Sequence, residues 1–309
     1  MYSKIIAYFQ NYETLLDWKE LNGLVTKIIN DKPKHVQIPG LIAKAYGCEN
    51  EHVVAAGACL ALAFSSIIIL DDLLDNDQRF SSDGFSSVDL ANMSAALVSL
   101  AFHTLPALIV SRDDAHKGIT VLSEMMENVA YGQSLDVKNP YSEREYWEVT
   151  QLKSSTFFSG AFALGGLAVG VDLTEMGHLQ ALGGEYGVLI QIHDDLRDSL
   201  EVPPNPDWRN GRHPLPILFA ETVKHPSQRR FKDIRESVDD PELLAEAQEI
   251  LIRCGAISYG MYQIKTHYQE SVQMMQQLHV KDIASIQIAF DELLHPVNKL
   301  IENLVDDVR

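Results

Sequence analysis

The chain has 309 residues, 46% of them apolar and 22% charged, the profile of a globular protein with a sizeable core. A formal net charge of −18 opposes nucleic-acid binding, and the densest basic cluster, SQRRFKD at 227–233, sits among acidic residues. Cys48, Cys59 and Cys254 have neither paired nor metal-ligand spacing, which predicts a reducing, cytoplasmic setting.

In chain order, the first twenty residues lack a basic start followed by an apolar core, so they do not read as an export signal. Apolar positions recur at three and four residues in LLDWKELNGLVTKIIN (15–30), which predicts an amphipathic helix. The run VVAAGACLALAFSSIIIL (53–70) carries no charge over 18 positions, the lower edge of membrane-spanning length. Gly57, Ser65 and Ser66 interrupt it, and aspartates rather than Lys or Arg end it, so a buried core helix is expected and not a membrane span. Helices apolar nearly all round are also predicted at 156–171 and 180–192, and such helices need helical neighbours on every side. Pro33, Pro39, Gly84, Pro106, Pro140 and Gly170 fall at helical intervals, followed by a Pro- and Asn-rich stretch at 199–214 that reads as a binding loop. Helical spacing returns in ELLAEAQEILIRC (242–254) and SIQIAFDELLHPVNKLIENLV (285–305). Neither a repeat nor a linker divides the chain, so one all-α domain over 1–309 is expected, a bundle of about ten or more helices.

Two acidic clusters carry the chemistry. Asp71, Asp72 and Asp75 follow the first apolar run, and Asp194, Asp195 and Asp198 follow a second, each as Asp-Asp-x-x-Asp. Residues four apart share a helix face, so Asp71 with Asp75, and Asp194 with Asp198, would each aim two carboxylates one way. Aspartate near a helix C-terminus opposes the macrodipole, and two such endings with one spacing favour a Mg²⁺ site over two solvated helix ends.

With these motifs the chain resembles the trans-isoprenyl diphosphate synthases (polyprenyl synthetases) of the class I isoprenoid synthase fold. DDLLD (71–75) is similar to the family's first aspartate-rich motif, GQSLDV (132–137) to its Gly-Gln-x-x-Asp segment, and LKSSTFF (152–158) to its Lys-Thr segment. QIHDD (191–195) is similar to the start of the second motif, and DWRNGRHPLP (207–216) to the following loop, with Arg212 in the lysine's place. The resemblance implies helices around a central apolar cavity, a homodimer, and three Mg²⁺ ions once substrate is bound. It implies that Asp71, Asp75 and Asp194 hold the metal with Asp72, Asp195 and Asp198 in or near its shell. Lys153 and Arg212 would grip the leaving diphosphate, and Gln191 would face the cation or the diphosphate. An allylic diphosphate would ionise and be attacked by isopentenyl diphosphate. Ile67 and Ser66 stand where bulky aromatics would block elongation, which implies a product of geranylgeranyl size or longer.

The isopentenyl site departs from the family pattern. Where Gly-Gly-Lys-Arg-x-Arg-Pro is expected the chain reads DKPKHVQIPG, and if Pro39 matches the proline then His35, Val36 and Ile38 replace Lys, Arg and Arg. Lys32 and Lys34 lie nearby out of register, and Arg79 stands where a basic pair is expected. Bidentate arginine has no conservative substitute at a diphosphate. Three readings follow: a divergent synthase using Arg79, Lys32, Lys34 and His35; a prenyltransferase with another acceptor, or a terpene cyclase; and a non-catalytic partner subunit. Asp198 and Val202, at the Ser/Thr and Glu positions of the cyclase motif, count against a cyclase, and the retained aspartates count against a silent subunit.

Overall fold

The computed structural model describes residues 1–74, 80, 83–110 and 114–294. Short helices α1 (Tyr2–Tyr8) and α2 (Glu13–Asp17) lead into α3 (Lys19–Asp31), α4 (Pro33–Val36), α5 (Ile38–Tyr46) and α6 (Glu51–Leu74). Then come α7 (Ser87–Leu108), α8 (Ala115–Asp136), α9 (Glu143–Thr150), α10 (Thr156–Val169) and α11 (Leu173–Leu200). The chain continues through α12 (Pro206–Arg209), α13 (Leu215–Thr222), α14 (Gln228–Ile234), α15 (Pro241–Arg253) and α16 (Ala256–Met275), with 284–294 again helical. No strand occurs among the described residues.

Local chemistry sets the boundaries. Proline opens α4, α12 and α15, where its missing N–H is no loss. Ser86 and Asp89 form a reciprocal capping box at the start of α7. Gly47 and Gly170 end α5 and α10 in the left-handed conformation. The expected break at Pro106 does not occur: α7 runs through it, because in the last turn a lost donor interrupts little of the ladder.

The helices without a polar face lie innermost. Every residue of α10 from Gly160 to Ala168 is buried, with α5, α6, α8 and α11 packed around it. Both α6 and α7 are long and apolar enough to cross a membrane. The apolar window of α6 is 78% buried inside the protein, the signature of a core helix, whereas that of α7 is 44% buried and leaves one side uncovered.

A close approach fixes where α11 lies. Residues 151–155 make a π-helical turn between α9 and α10, and Gly187 of α11 rests on it. A Cβ at Gly187 would lie 2.2 Å from the Ser154 carbonyl oxygen, so the two backbones meet only because no side chain intervenes. Gly187→Ala should therefore lose about 1–3 kcal/mol in urea unfolding. Gly177→Ala, on the same helix with nothing within 4 Å, should instead gain about 0.5–1 kcal/mol from helix propensity. Equal effects of the two substitutions would refute the close-packing account.

Candidate active site

A cavity of about 490 Å³ opens at the C-terminal ends of α6 and α11. Asp71 enters it from the last turn of α6, Asp194 and Asp198 from α11, Asp136 from the end of α8, and Asp207 from α12. Ile67, Ile68, Phe64, Phe157, Phe158 and Ile190 form its apolar part, which runs inward from the aspartates. Phe64 and Phe157 are in ring contact, their centroids 5.5 Å apart.

Lys153 projects from the π-helical turn between two of the carboxylates. Its ammonium lies 2.6 Å from Asp136 and 3.2 Å from Asp71. Burial alone would lower its pKa, but the two aspartates outweigh burial and hold it above the ordinary lysine value. Neighbouring Ser154 donates to the Gln191 carbonyl oxygen at 2.6 Å, and the Gln191 amide donates to Asp195 at 2.8 Å. Gln191 thus lines the cavity with its amide already oriented by both neighbours.

The two aspartates of each pair have different surroundings. Asp194 points into the cavity, 3.4 Å from the Lys32 ammonium and 3.2 Å from Arg197. Burial would raise its pKa, yet His193, Lys32 and Arg197 hold it at about 2. Asp195 is 6% exposed, and both its oxygens accept bonds from the protein. Tyr146 Oη and the Leu215 N–H each donate at 2.8 Å to one oxygen, and Gln191 donates to the other. Burial pushes its pKa up to about 7 despite those bonds. Asp72 is 4% exposed and does not line the cavity. Asp198 accepts from Arg197 at 2.7 and 2.9 Å, and burial raises its pKa against the pull of that arginine. Asp75 and Arg79 lie outside the described residues.

The loop at 205–214 brings Arg212 over the cavity. Gly211, at φ +68°, supplies the left-handed turn, and Arg212 donates to the Asp136 carbonyl oxygen at 2.6 Å. Asp207, at the start of the loop, has its pKa raised to about 6 by burial and by the charges of Asp198, Asp136 and Asp71. Neither Asp207 nor Arg197 is among the residues expected from sequence. Their signals were present, Arg197 inside DDLRD and Asp207 opening the loop motif, but only the fold turns them inward.

The expected acceptor residues divide. Lys32 and His35 line the cavity, and Val36 and Ile38 are buried at 0% and 3%, where no diphosphate reaches them. Lys34 points away and pairs with Glu292 at 2.7 Å. Ile67 lines the cavity, whereas Ser66 is buried and hydrogen-bonded to Ser94 at 2.9 Å. His35 packs edge-on between Phe64 and Phe158, at centroid distances of 5.7 and 5.1 Å, with its Nδ1 buried and unbonded. Burial, reinforced by Lys32, lowers its pKa to about 4, so it stands in the wall as a neutral imidazole rather than a cation.

Whether this site suits Mg²⁺ turns on its donors and its charge. The inward-facing oxygens are carboxylates, the hard donors Mg²⁺ takes. Six aspartates line the cavity against two lysines and two arginines, an excess of negative charge that a divalent cation would offset. The residues present fit the ion.

A family description, Polyprenyl synthetase, matches residues 21–251. Among curated relatives, the short chain isoprenyl diphosphate synthase of Methanothermobacter thermautotrophicus is 24% identical over 257 residues, covering 78% of this chain and 79% of its own. The nonaprenyl diphosphate synthase of Mycobacterium tuberculosis is 25% identical over 210 residues, covering 64% and 62%. The crystal structure of a decaprenyl diphosphate synthase from Rhodobacter capsulatus superposes with a TM-score of 0.78 at 17% identity, over 96% of this chain and 95% of that one. At that identity the superposition establishes the fold.

Asp195 and Asp71 should behave oppositely when replaced. Asp195→Ala leaves two buried donors and one half-buried donor without an acceptor and should lose about 2–4 kcal/mol in urea unfolding. Asp71→Asn keeps Asp136 beside Lys153 and should change stability by less than about 1 kcal/mol while abolishing turnover. A stable Asp195→Ala protein would contradict the anchoring role.

Proposed function

The chain belongs to the polyprenyl synthetase family, and from its cavity we propose how it acts as a prenyltransferase that lengthens an allylic diphosphate with isopentenyl diphosphate. The observation that carries this reading is the meeting of Asp71, Asp194 and Lys153 at the mouth of one chamber whose inner wall is apolar and aromatic.

Asp71, Asp194 and Asp198 would hold Mg²⁺, joined by Asp75 through the Asp-x-x-x-Asp spacing. When bound, Mg²⁺ supplies Lewis-acid neutralisation of the charge that develops on the departing diphosphate. The three-ion count implied by the resemblance belongs with this proposal. Lys153 and Arg212 add fixed cationic donors at the same end, Lys153 held by Asp71 and Asp136 in a charged state at every working pH. Phe64, Phe157, Phe158, Ile67 and Ile68 line the chamber for the isoprenoid tail and keep water from the allylic cation. Asp195 and Gln191 position rather than ligate, since their polar atoms are committed to Tyr146, Leu215 and Ser154. Asp72 is assigned no ligand role because it does not line the cavity.

On the acceptor side Lys32 lines the cavity with His35 and its charge acts on that imidazole, and Lys34 is given no part. The neutral wall formed by His35, Phe64 and Phe158 favours, as a second reading, an acceptor less charged than isopentenyl diphosphate. Ile67 in the wall supports a product of geranylgeranyl size or longer. A homodimer is supported by α7, whose uncovered side presents the small residues Ala91, Ala95 and Ser99 at four-residue spacing, a face that another helix can approach closely. The three unpaired cysteines fit the cytoplasm.

The test is incubation with Mg²⁺ and farnesyl diphosphate, with and without isopentenyl diphosphate, followed by mass identification of products. Longer diphosphates should form only when both substrates are present. Hydrocarbon or alcohol from farnesyl diphosphate alone would indicate a cyclase. No turnover, with Asp71→Asn matching wild type in Mg²⁺-dependent diphosphate binding, would overturn the enzymatic assignment.

A further inference from the structure

Away from the aspartate cavity, a second group of metal-ligating side chains joins α11 to α16. We propose that Glu185, His267 and Glu270 form a binding site for a divalent transition metal of the zinc class. His267 Nδ1 lies 2.7 Å from Glu185 Oε2 and 3.8 Å from Glu270 Oε2, and one ligand atom of each residue falls within 4.8 Å of the others. In a tetrahedral zinc site with bonds of about 2.0–2.1 Å, neighbouring ligand atoms sit roughly 3.3 Å apart, so a small inward adjustment completes three coordination positions. Water takes the fourth.

The arrangement is built into the fold. His267 and Glu270 are three residues apart on α16 and share a face. Glu185 meets them from α11, which runs antiparallel to α16, as the packing of Leu196 on Gly260 further along the pair shows. Glu185 and His267 keep 19% and 21% of their side-chain exposure, so they are partly desolvated, while Glu270 at 52% leaves a way in. Glu185 also borders a cleft of about 440 Å³.

A simple ion pair accounts for the Glu185 contact but not for the second carboxylate. One imidazole nitrogen faces both acids, and the single proton it can carry serves one of them well. A divalent cation answers all three groups together. Imidazole beside carboxylate favours Zn²⁺, Co²⁺, Ni²⁺ or Cu²⁺ over Mg²⁺, which takes oxygen donors. The protein would therefore hold two classes of metal at two places on one helix. Glu185 precedes Asp194 by nine residues, about 13 Å along the axis of α11, so an ion there would brace the helix that carries the second aspartate motif.

Trp147 offers a reporter, its ring centroid 5.9 Å from that of His267. Zn²⁺ should be titrated calorimetrically, in excess Mg²⁺, into wild type, His267→Gln, Glu185→Gln and Asp194→Asn, each checked for fold by circular dichroism. One Zn²⁺ equivalent should persist in Asp194→Asn and weaken at least tenfold in His267→Gln and Glu185→Gln. Ni²⁺ should quench tryptophan fluorescence in wild type and much less in Trp147→Phe. If His267→Gln does not fold, Glu185→Gln and the quenching decide. No saturable Zn²⁺ binding in excess Mg²⁺, or binding of unchanged affinity in the folded His267 and Glu185 variants, would overturn the proposal.

Discussion

A lysine held away from water between two carboxylates is the interaction around which this cavity is organised. Lys153 reaches Asp71 on α6 and Asp136 on α8 from the π-helical turn before α10, so one ammonium ties three elements together at the chamber mouth. Removing a charge from water is costly unless opposite charges meet it, and here they do so from both sides. The arrangement depends in turn on Gly187, which lets α11 lie directly on that turn and brings Gln191 and Asp194 to the same opening. Packing and chemistry are therefore one constraint: what lets the helices touch also assembles the site.

The doubled aspartates divide their work by helix geometry. Successive residues on a helix point about 100° apart, so adjacent carboxylates meet different surroundings. Both border the cavity, but Asp194 meets Lys32 and Arg197 there, whereas both oxygens of Asp195 are taken by the protein, joining α9 through Tyr146 to the start of α13 through Leu215. On our reading one aspartate of the pair is a ligand and the other a strut. Their opposite pKa shifts follow: burial raises Asp195 to about 7 despite its neutral hydrogen-bond donors, whereas His193, Lys32 and Arg197 outweigh burial at Asp194 and hold it at about 2.

The parts of the site written in short-range spacing were legible in the sequence. Asp71, Asp194, Ile67 and the flanking apolar helices follow from residues within a few turns of one another, as does the all-α architecture. What was not legible depends on partners far along the chain. Tyr146 and Leu215 lie 49 and 20 residues from Asp195, so the local sequence does not show that the protein takes up its carboxylate. Lys34 and Lys32 look equivalent in sequence, yet one pairs with Glu292 and the other with Asp194. His35 reads as a basic residue until Phe64 and Phe158 enclose it and remove its charge. Of the doubt raised by the missing Lys/Arg motif, the fold sharpens one half: the end that carries Asp71, Asp194 and Lys153 is rich in fixed charge, and the wall at His35 is neutral.

That asymmetry is the central claim, and Lys153→Met tests it most directly, since methionine removes the charge and keeps much of the length. Initial elongation rates should be measured against each substrate separately, with folding confirmed by circular dichroism. The expected result is a fall in kcat of about a hundredfold or more, with KM for the allylic diphosphate raised and KM for isopentenyl diphosphate changed less than about twofold. A rate like that of wild type, or equal changes in the two KM values, would contradict it.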